Sequence, residues 1–222
     1  MKRPILLLLS LIILTACSNS SDFETGEIKA VKNLRDALLA SKTSTRILDI
    51  RNVITREKID EAKIPVLFIE LANGQNGTLT LYPGHSVEET WLGADGATVT
   101  LEYGRIKATR GMRSDVMGST SLMPSWTDVK DNLEYTRQIA YLSDNNQIDV
   151  KTFSCVIKSH KSRSSVTIFE VEFNVQKYNE ICTDDAEKIN NVYFIDKETI
   201  VRKSIQYHGP DLGYVTIERL DR

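Results

Sequence analysis

The stretch Glu89-Thr90-Trp91-Leu92-Gly93-Ala94-Asp95-Gly96-Ala97-Thr98-Val99-Thr100-Leu101-Glu102-Tyr103 decides the fold. Two runs with strand character flank Ala94-Asp95-Gly96, and Asp-Gly between such runs is a strong hairpin signal because tight hairpin turns need positive φ. The same pattern extends in both directions. Upstream, Val66–Leu71 is an apolar, β-branched and aromatic run closed by Asn73-Gly74, and Gly77–Tyr82 alternates until Pro83-Gly84. Downstream, Arg105–Thr109 follows Gly104, Glu134–Leu142 pairs with Gln147–Ile157 about Asn145-Asn146, and Ser164–Tyr178 follows a turn at Lys161–Ser164. Asn191–Ile195 and Ile200–Tyr207 flank Asp196-Lys197-Glu198, and Gly213–Leu220 gives a last strand. Many short strands with turn signals predict a mainly β protein: a curved antiparallel sheet closing towards a barrel or sandwich. Gly111–Pro124 has no period and reads as a loop with one helical turn near Ser114–Gly118.

Helices are expected only near the N-terminus. Ile28, Val31, Leu34, Ala37 and Leu38 recur at helical spacing, so Gly26–Ser41 is an amphipathic helix. Thr55 is placed to cap a short helix through Ala62, and Pro65 ends any helix because it disfavours helical angles in the residue before it.

The first seventeen residues fix the compartment. Lys2 and Arg3 precede an apolar run from Ile5 to Leu14, and Leu14-Thr15-Ala16-Cys17 closes it as a lipobox. The run is too short for a transmembrane helix and has signal-peptide length. We expect residues 1–16 to be cleaved, Cys17 to be lipid-modified, 17–25 to be a tether and 26–222 a single periplasmic β-rich domain. Each buried acyl CH₂ contributes about 0.8 kcal/mol, so three chains hold the protein at a membrane. Ser18 rather than Asp follows the cysteine, which in enterobacterial-type sorting points to the inner leaflet of the outer membrane.

The formal charge of −2 becomes two units more negative once Lys2 and Arg3 leave with the leader. Mixed, slightly acidic charge excludes a general nucleic-acid binder, which needs a basic face. Cys155 and Cys182 lie in strand-like segments of an exported chain, so we predict a disulfide between them. Closing a loop of about 27 residues, it contributes about 3 kcal/mol in the chain-entropy model.

Residues for catalysis are sparse. His85, His160 and His208 stand alone, without partners at metal-ligand spacing, and no phosphate loop or nucleophile elbow occurs. Neither a metal nor a cofactor is expected, and no enzymatic activity. The conspicuous stretch is Gly104–Gly118, where Arg105, Lys107, Arg110 and Arg113 lie within nine residues beside Asp115. One reading makes Trp91, Arg105, Thr109, Arg110, Gly111, Arg113 and Asp115 a ligand or partner surface, arginines gripping acidic sugars or carboxylates. The other makes it a structural corner, with Gly111 in a backbone region other residues resist and Arg113 paired to Asp115. Trp91 and Tyr103 are the aromatics expected at a sugar face, with Tyr103 the more suited of the two to core packing.

This stretch also carries a family likeness. Trp91, Asp95-Gly96, Leu101, Gly104-Arg105-Ile106, Thr109-Arg110-Gly111-Met112 and Asp115-Val116-Met117, with Ser204–Glu218 at the end, resemble the group 4 capsule polysaccharide lipoprotein family (YjbF/GfcB-like). Arg113 departs from the pattern, where a small or acidic residue is expected. The resemblance implies a mainly β lipoprotein that acts as a non-catalytic assembly or binding component in making or exporting capsule or exopolysaccharide. It implies other export proteins, including an outer-membrane β-barrel, as partners, along with the polysaccharide. Two alternatives stay open: a lipid or lipoprotein carrier with an apolar concavity, and a polysaccharide-modifying enzyme using carboxylates such as Glu102 and Asp115.

Overall fold

The computed structural model describes residues 49–83, 87–121, 125–143 and 145–222. Cys17 and the helix expected over 26–41 lie outside them. The first described elements are a 3-10 turn, Ile50–Asn52, and helix α1, Arg56–Ala62. Thr55 caps α1 by accepting from the Lys58 amide, and Lys63 ends it in the left-handed conformation before Pro65.

Twelve strands follow: β1 Val66–Leu71, β2 Asn76–Leu81, β3 Glu88–Gly93, β4 Thr98–Glu102, β5 Arg105–Arg110, β6 Val116–Ser121, β7 Leu133–Leu142, β8 Ile148–Ile168, β9 Val171–Thr183, β10 Lys188–Ile195, β11 Val201–Gly209 and β12 Gly213–Arg219. They form one antiparallel sheet in the order β5-β4-β3-β2-β1-β12-β11-β10-β9-β8-β7-β6. Its two end strands, β5 and β6, are consecutive in sequence, so the sheet curls until its edges meet as a nearly closed barrel. Alternation sorts the faces. Leu67, Leu79, Trp91, Val99, Ile139, Phe153 and Ile217 belong to the interior cluster. Val66 and Phe68 point to the other face of β1, under Ile50, Ile54 and Ile59 of the N-terminal turn and helix.

The hairpins at Asn73-Gly74 and Asp95-Gly96 form as expected, with Gly74 and Gly96 at positive φ. Two expectations are corrected. The segment 116–121 is strand β6 rather than a helical turn, and it pairs with β7 through Ser119↔Ile139 and Thr120↔Gln138. Lys161–Ser164 is not a turn but part of β8, where a register shift between Ser159 and Arg163 bends the strand. The chain reverses instead at Phe169-Glu170, both at positive φ. That strained tip is held by packing: Phe169 meets Phe68 edge-on at 5.5 Å, and Ile168 joins the cluster under α1. Cys155 and Cys182 face each other across β8 and β9, joined by a disulfide inside the main core.

Candidate functional site

No ladder joins β5 to β6 among the described residues, so side chains meet the backbone groups along this seam. The Val116 amide donates to Thr109 Oγ1 at 2.9 Å, and Arg110 Nη1 and Nη2 reach the Val116 and Met117 carbonyls at 3.0 and 3.2 Å. Further along, Arg137 Nη2 donates to the Ile106 carbonyl at 3.0 Å, while the Ile106 amide donates to Gln206 Oε1 at 2.9 Å. Gln206 Nε2 in turn holds the Gly104 carbonyl at 2.8 Å. Gly104 sits at φ +75, and a Cβ there would lie 2.5 Å from Val201, which explains why only glycine brings this turn against β11.

Asp115 closes the turn between the two edge strands. Its Oδ2 accepts from the Gly111 amide at 2.9 Å, and its Oδ1 accepts from the Met112 amide and the Thr109 hydroxyl, both at 3.0 Å. Gly111 takes φ +77 to present that amide. Since the Thr109 proton goes to Asp115, Thr109 Oγ1 accepts from His208 Nε2–H at 3.1 Å. His208 Nδ1 is then the bare ring nitrogen, and it meets no partner among the described residues. Burial pulls the His208 pKa below the usual histidine value, although Asp115 acts the other way.

Behind the seam lies a buried polar cluster that the sequence reading did not pick out. Glu180, with no exposed surface, accepts from Arg137 Nη1 at 3.0 Å, from Tyr193 Oη at 2.9 Å, and from Tyr135 and Asn191. Burial acts to raise its pKa, but the Arg137 charge and the hydrogen bonds from Asn191 and Tyr135 outweigh it and hold Glu180 below the carboxylate range. Tyr135 and Tyr193 are pushed up, first by burial and then by the Glu180 charge. The signal was present: Arg137 occupies the inward phase of Tyr135-x-Arg137-x-Ile139-x-Tyr141, and Glu180 that of Tyr178-x-Glu180-x-Cys182.

The residues expected to form one surface therefore separate. Trp91 is fully buried in the core, with the Arg219 guanidinium 5.3 Å from its ring centre, while Tyr103, expected inside, is 38% exposed. Arg105, Thr109 and Asp115 are buried as well, leaving Arg110, Gly111 and Arg113 exposed. This corrects the shared-surface expectation: apolar alternation takes Trp91 inward, and the seam engages Thr109 and Asp115. The Arg113–Asp115 pairing is corrected too, because the Asp115 oxygens are taken by Gly111, Met112 and Thr109. Glu102 likewise contacts Lys107 at 3.0 Å rather than sharing a cleft with Asp115. Beside the corner, a cleft of about 550 Å³ opens at one end of the barrel. Ile69, Leu71, Leu79 and Val99 give it an apolar lining, with Arg113 and Asp211 also on its wall.

Residues 31–220 match the sequence model of the family described as group 4 capsule polysaccharide lipoprotein gfcB, YjbF. The chain belongs to that family. Residues 1–18 match the prokaryotic membrane lipoprotein lipid attachment site, which makes this family member a membrane-anchored lipoprotein. It is 24% identical to the uncharacterized lipoprotein YjbF of Escherichia coli K12 over 215 residues, 95% of this chain and 93% of that one. Its fold is similar to the crystal structure of the hypothetical lipoprotein YmcC from Escherichia coli K12, with a TM-score of 0.70 at 20% identity over 78% of this chain and 91% of that one.

Because folding favours the neutral His208 ring, its contribution to stability is complete above the unfolded pKa of about 6.5 and is lost as pH falls below it. Thermal unfolding should therefore show Tm declining between about pH 7 and pH 5, with a shallower decline in His208→Gln. Equal slopes in the two proteins would contradict this assignment.

Proposed function

We propose that this lipoprotein is a non-catalytic assembly or binding component of capsule or exopolysaccharide production and export. Acyl chains on Cys17 hold it in the inner leaflet of the outer membrane, and the 17–25 tether lets the 26–222 body face the periplasm. Its partners are other export proteins, an outer-membrane β-barrel among them, and the polysaccharide itself. The observation that carries this reading is the family match across residues 31–220, together with the lipid attachment site at residues 1–18. The geometry supports it as well. Three carboxylates along the seam are engaged in structural contacts: Asp115 in the corner, Glu180 with Arg137 and its tyrosines, and Glu102 with Lys107. A membrane tether raises the local concentration of the body near its partners, so modest contacts suffice.

The apolar lining of the barrel-end cleft favours one second reading, a carrier of lipid or lipoprotein acyl chains. Its volume of about 550 Å³ lies within the range of small-molecule pockets.

Deleting the gene should reduce surface polysaccharide and complementation should restore it; a deletion strain with undiminished surface polysaccharide under active export contradicts the proposed role. Native mass spectrometry of gently purified protein separates the two readings. Lipid co-purifying beyond the anchor supports the carrier, and its absence removes that reading.

A further inference from the structure

The described chain begins at the rim of the barrel-end cleft. Asp49 Oδ1 accepts from Asn76 Nδ2 at 3.1 Å, and Asn76 Oδ1 accepts from the Ile50 amide at 2.8 Å. Ile50 and Asn76 both line the cleft, so the segment preceding Asp49 arrives at this end of the barrel. Ile69 and Leu71 of β1 line the cleft and are only partly buried against the main core. Met112 and Leu212 approach it from the flanking turns. Apolar surface gathered in this way is stabilised when an apolar partner removes it from water.

The chain itself supplies such a partner. Residues 18–48 separate Cys17 from Asp49, and within them Ile28, Val31, Leu34, Ala37 and Leu38 recur at helical spacing as an apolar stripe. An isolated helix of that length is marginal in water unless its stripe packs against something. Residues 42–48 join the segment to Asp49. Fully extended they reach about 25 Å, enough to lay the stripe across a cleft whose rim is at Asp49. Charge agrees with that placement. Lys29, Lys32 and Arg35 outnumber Glu27 and Asp36 over residues 26–41, while Asp95 and Asp211 outnumber Arg113 on the cleft wall. Asp95 accepts from the Ala97 amide and Asp211 from the Ser114 hydroxyl, neutral donors that leave the carboxylate charges in place.

We propose that residues 26–41 dock their apolar stripe into the barrel-end cleft of their own chain. This goes beyond the secretion role and does not rest on it. The cleft, of about 550 Å³, takes the apolar side chains of the stripe, and the basic residues beside them come against Asp95 and Asp211. Docking also shortens the free tether. Residues 18–48 fully extended would reach about 110 Å, whereas residues 18–27 alone reach about 35 Å. The cleft end of the barrel is thereby turned towards the bilayer that holds Cys17. An acyl chain enters the same cleft only by displacing the stripe.

Thiol crosslinking of the full-length lipoprotein in isolated membranes tests the docking. Cys155 and Cys182 are already joined, so they do not compete with introduced thiols. Leu34→Cys combined with Ala97→Cys on the cleft wall should be linked within one chain by a short bis-maleimide. The yield should exceed that of Leu34→Cys with Glu61→Cys by about fivefold or more, as a higher effective concentration requires. Glu61 is exposed on α1 and nearer to Leu34 along the chain, so it reports what tethering alone gives. Ala94→Cys, at an exposed position on the same wall, serves if the Ala97 variant does not fold. In the Ala97→Cys protein, adding Val31→Asp and Leu34→Asp should speed labelling by a polyethylene glycol maleimide about fivefold, because charge on the stripe opposes its burial. Equal crosslinking yields in the two pairs overturn the docking, the result expected if the stripe lies on the bilayer instead. Crosslinks that join two chains overturn it in favour of a second copy as the occupant. Labelling that is unchanged by the aspartates overturns it as well, and co-purifying lipid would then identify an acyl chain as the occupant.

Discussion

A curled sheet must dispose of its two edges, and here β5 and β6 meet without a ladder among the described residues. Exposed edge groups invite pairing with other chains, and buried unpaired ones are costly, so closure has to come from elsewhere. It comes from side chains that reach across the seam: Arg110 to two β6 carbonyls, Thr109 to a β6 amide, and Arg137 of neighbouring β7 and Gln206 of β11 to the Ile106 backbone. The rest of the interior follows from that arrangement. Arg137 can hold Ile106 only if its charge is met, which places Glu180 at zero exposure, and Glu180 in turn draws in Tyr135, Asn191 and Tyr193.

Such a network is a demanding way to fill a core. Apolar residues of similar volume are often as stable as a buried ion pair, while removal of one partner alone is strongly destabilising. What the network supplies here is a defined set of partners for backbone groups that apolar side chains would leave unmet. The corner uses the same logic on a smaller scale: one carboxylate, Asp115, satisfies two turn amides and orients Thr109. Pairing is not complete: among the described residues Arg105 Nε and Nη2, Trp91 Nε1 and His208 Nδ1 are buried without a hydrogen-bond partner.

How much of this was legible beforehand depended on whether the cause was local. The turns at Asn73-Gly74 and Asp95-Gly96 could be read because their backbone angles are set by their own residues. The turn at Phe169-Glu170 could not, since nothing local favours positive φ there; contact with Phe68, about a hundred residues away in sequence, holds it. Strand β6 was hidden because Gly118, Ser119, Thr120 and Ser121 give an edge strand no apolar alternation. Among the site residues, Gly111 and Asp115 were recognisable as corner chemistry. Tyr103 escaped the core because it lies beyond the end of β4 at φ 50, where the strand's alternation no longer applies, whereas Trp91 follows the alternation of β3 inward. Arg137 and Glu180 stood in inward phase on separate strands, but only the topology brings those strands together.

The family match and the lipid attachment site set the biological frame, a membrane-anchored lipoprotein associated with capsule polysaccharide. Within that frame the structural account rests on a seam closed by side chains, and the Ile106 amide reports on it most directly because its partner is the Gln206 side chain rather than a neighbouring strand. Native-state hydrogen exchange should find this amide as protected as the laddered core amides of β10 and β11, opening only with global unfolding. Exchange at the rate of an exposed edge strand would contradict the account.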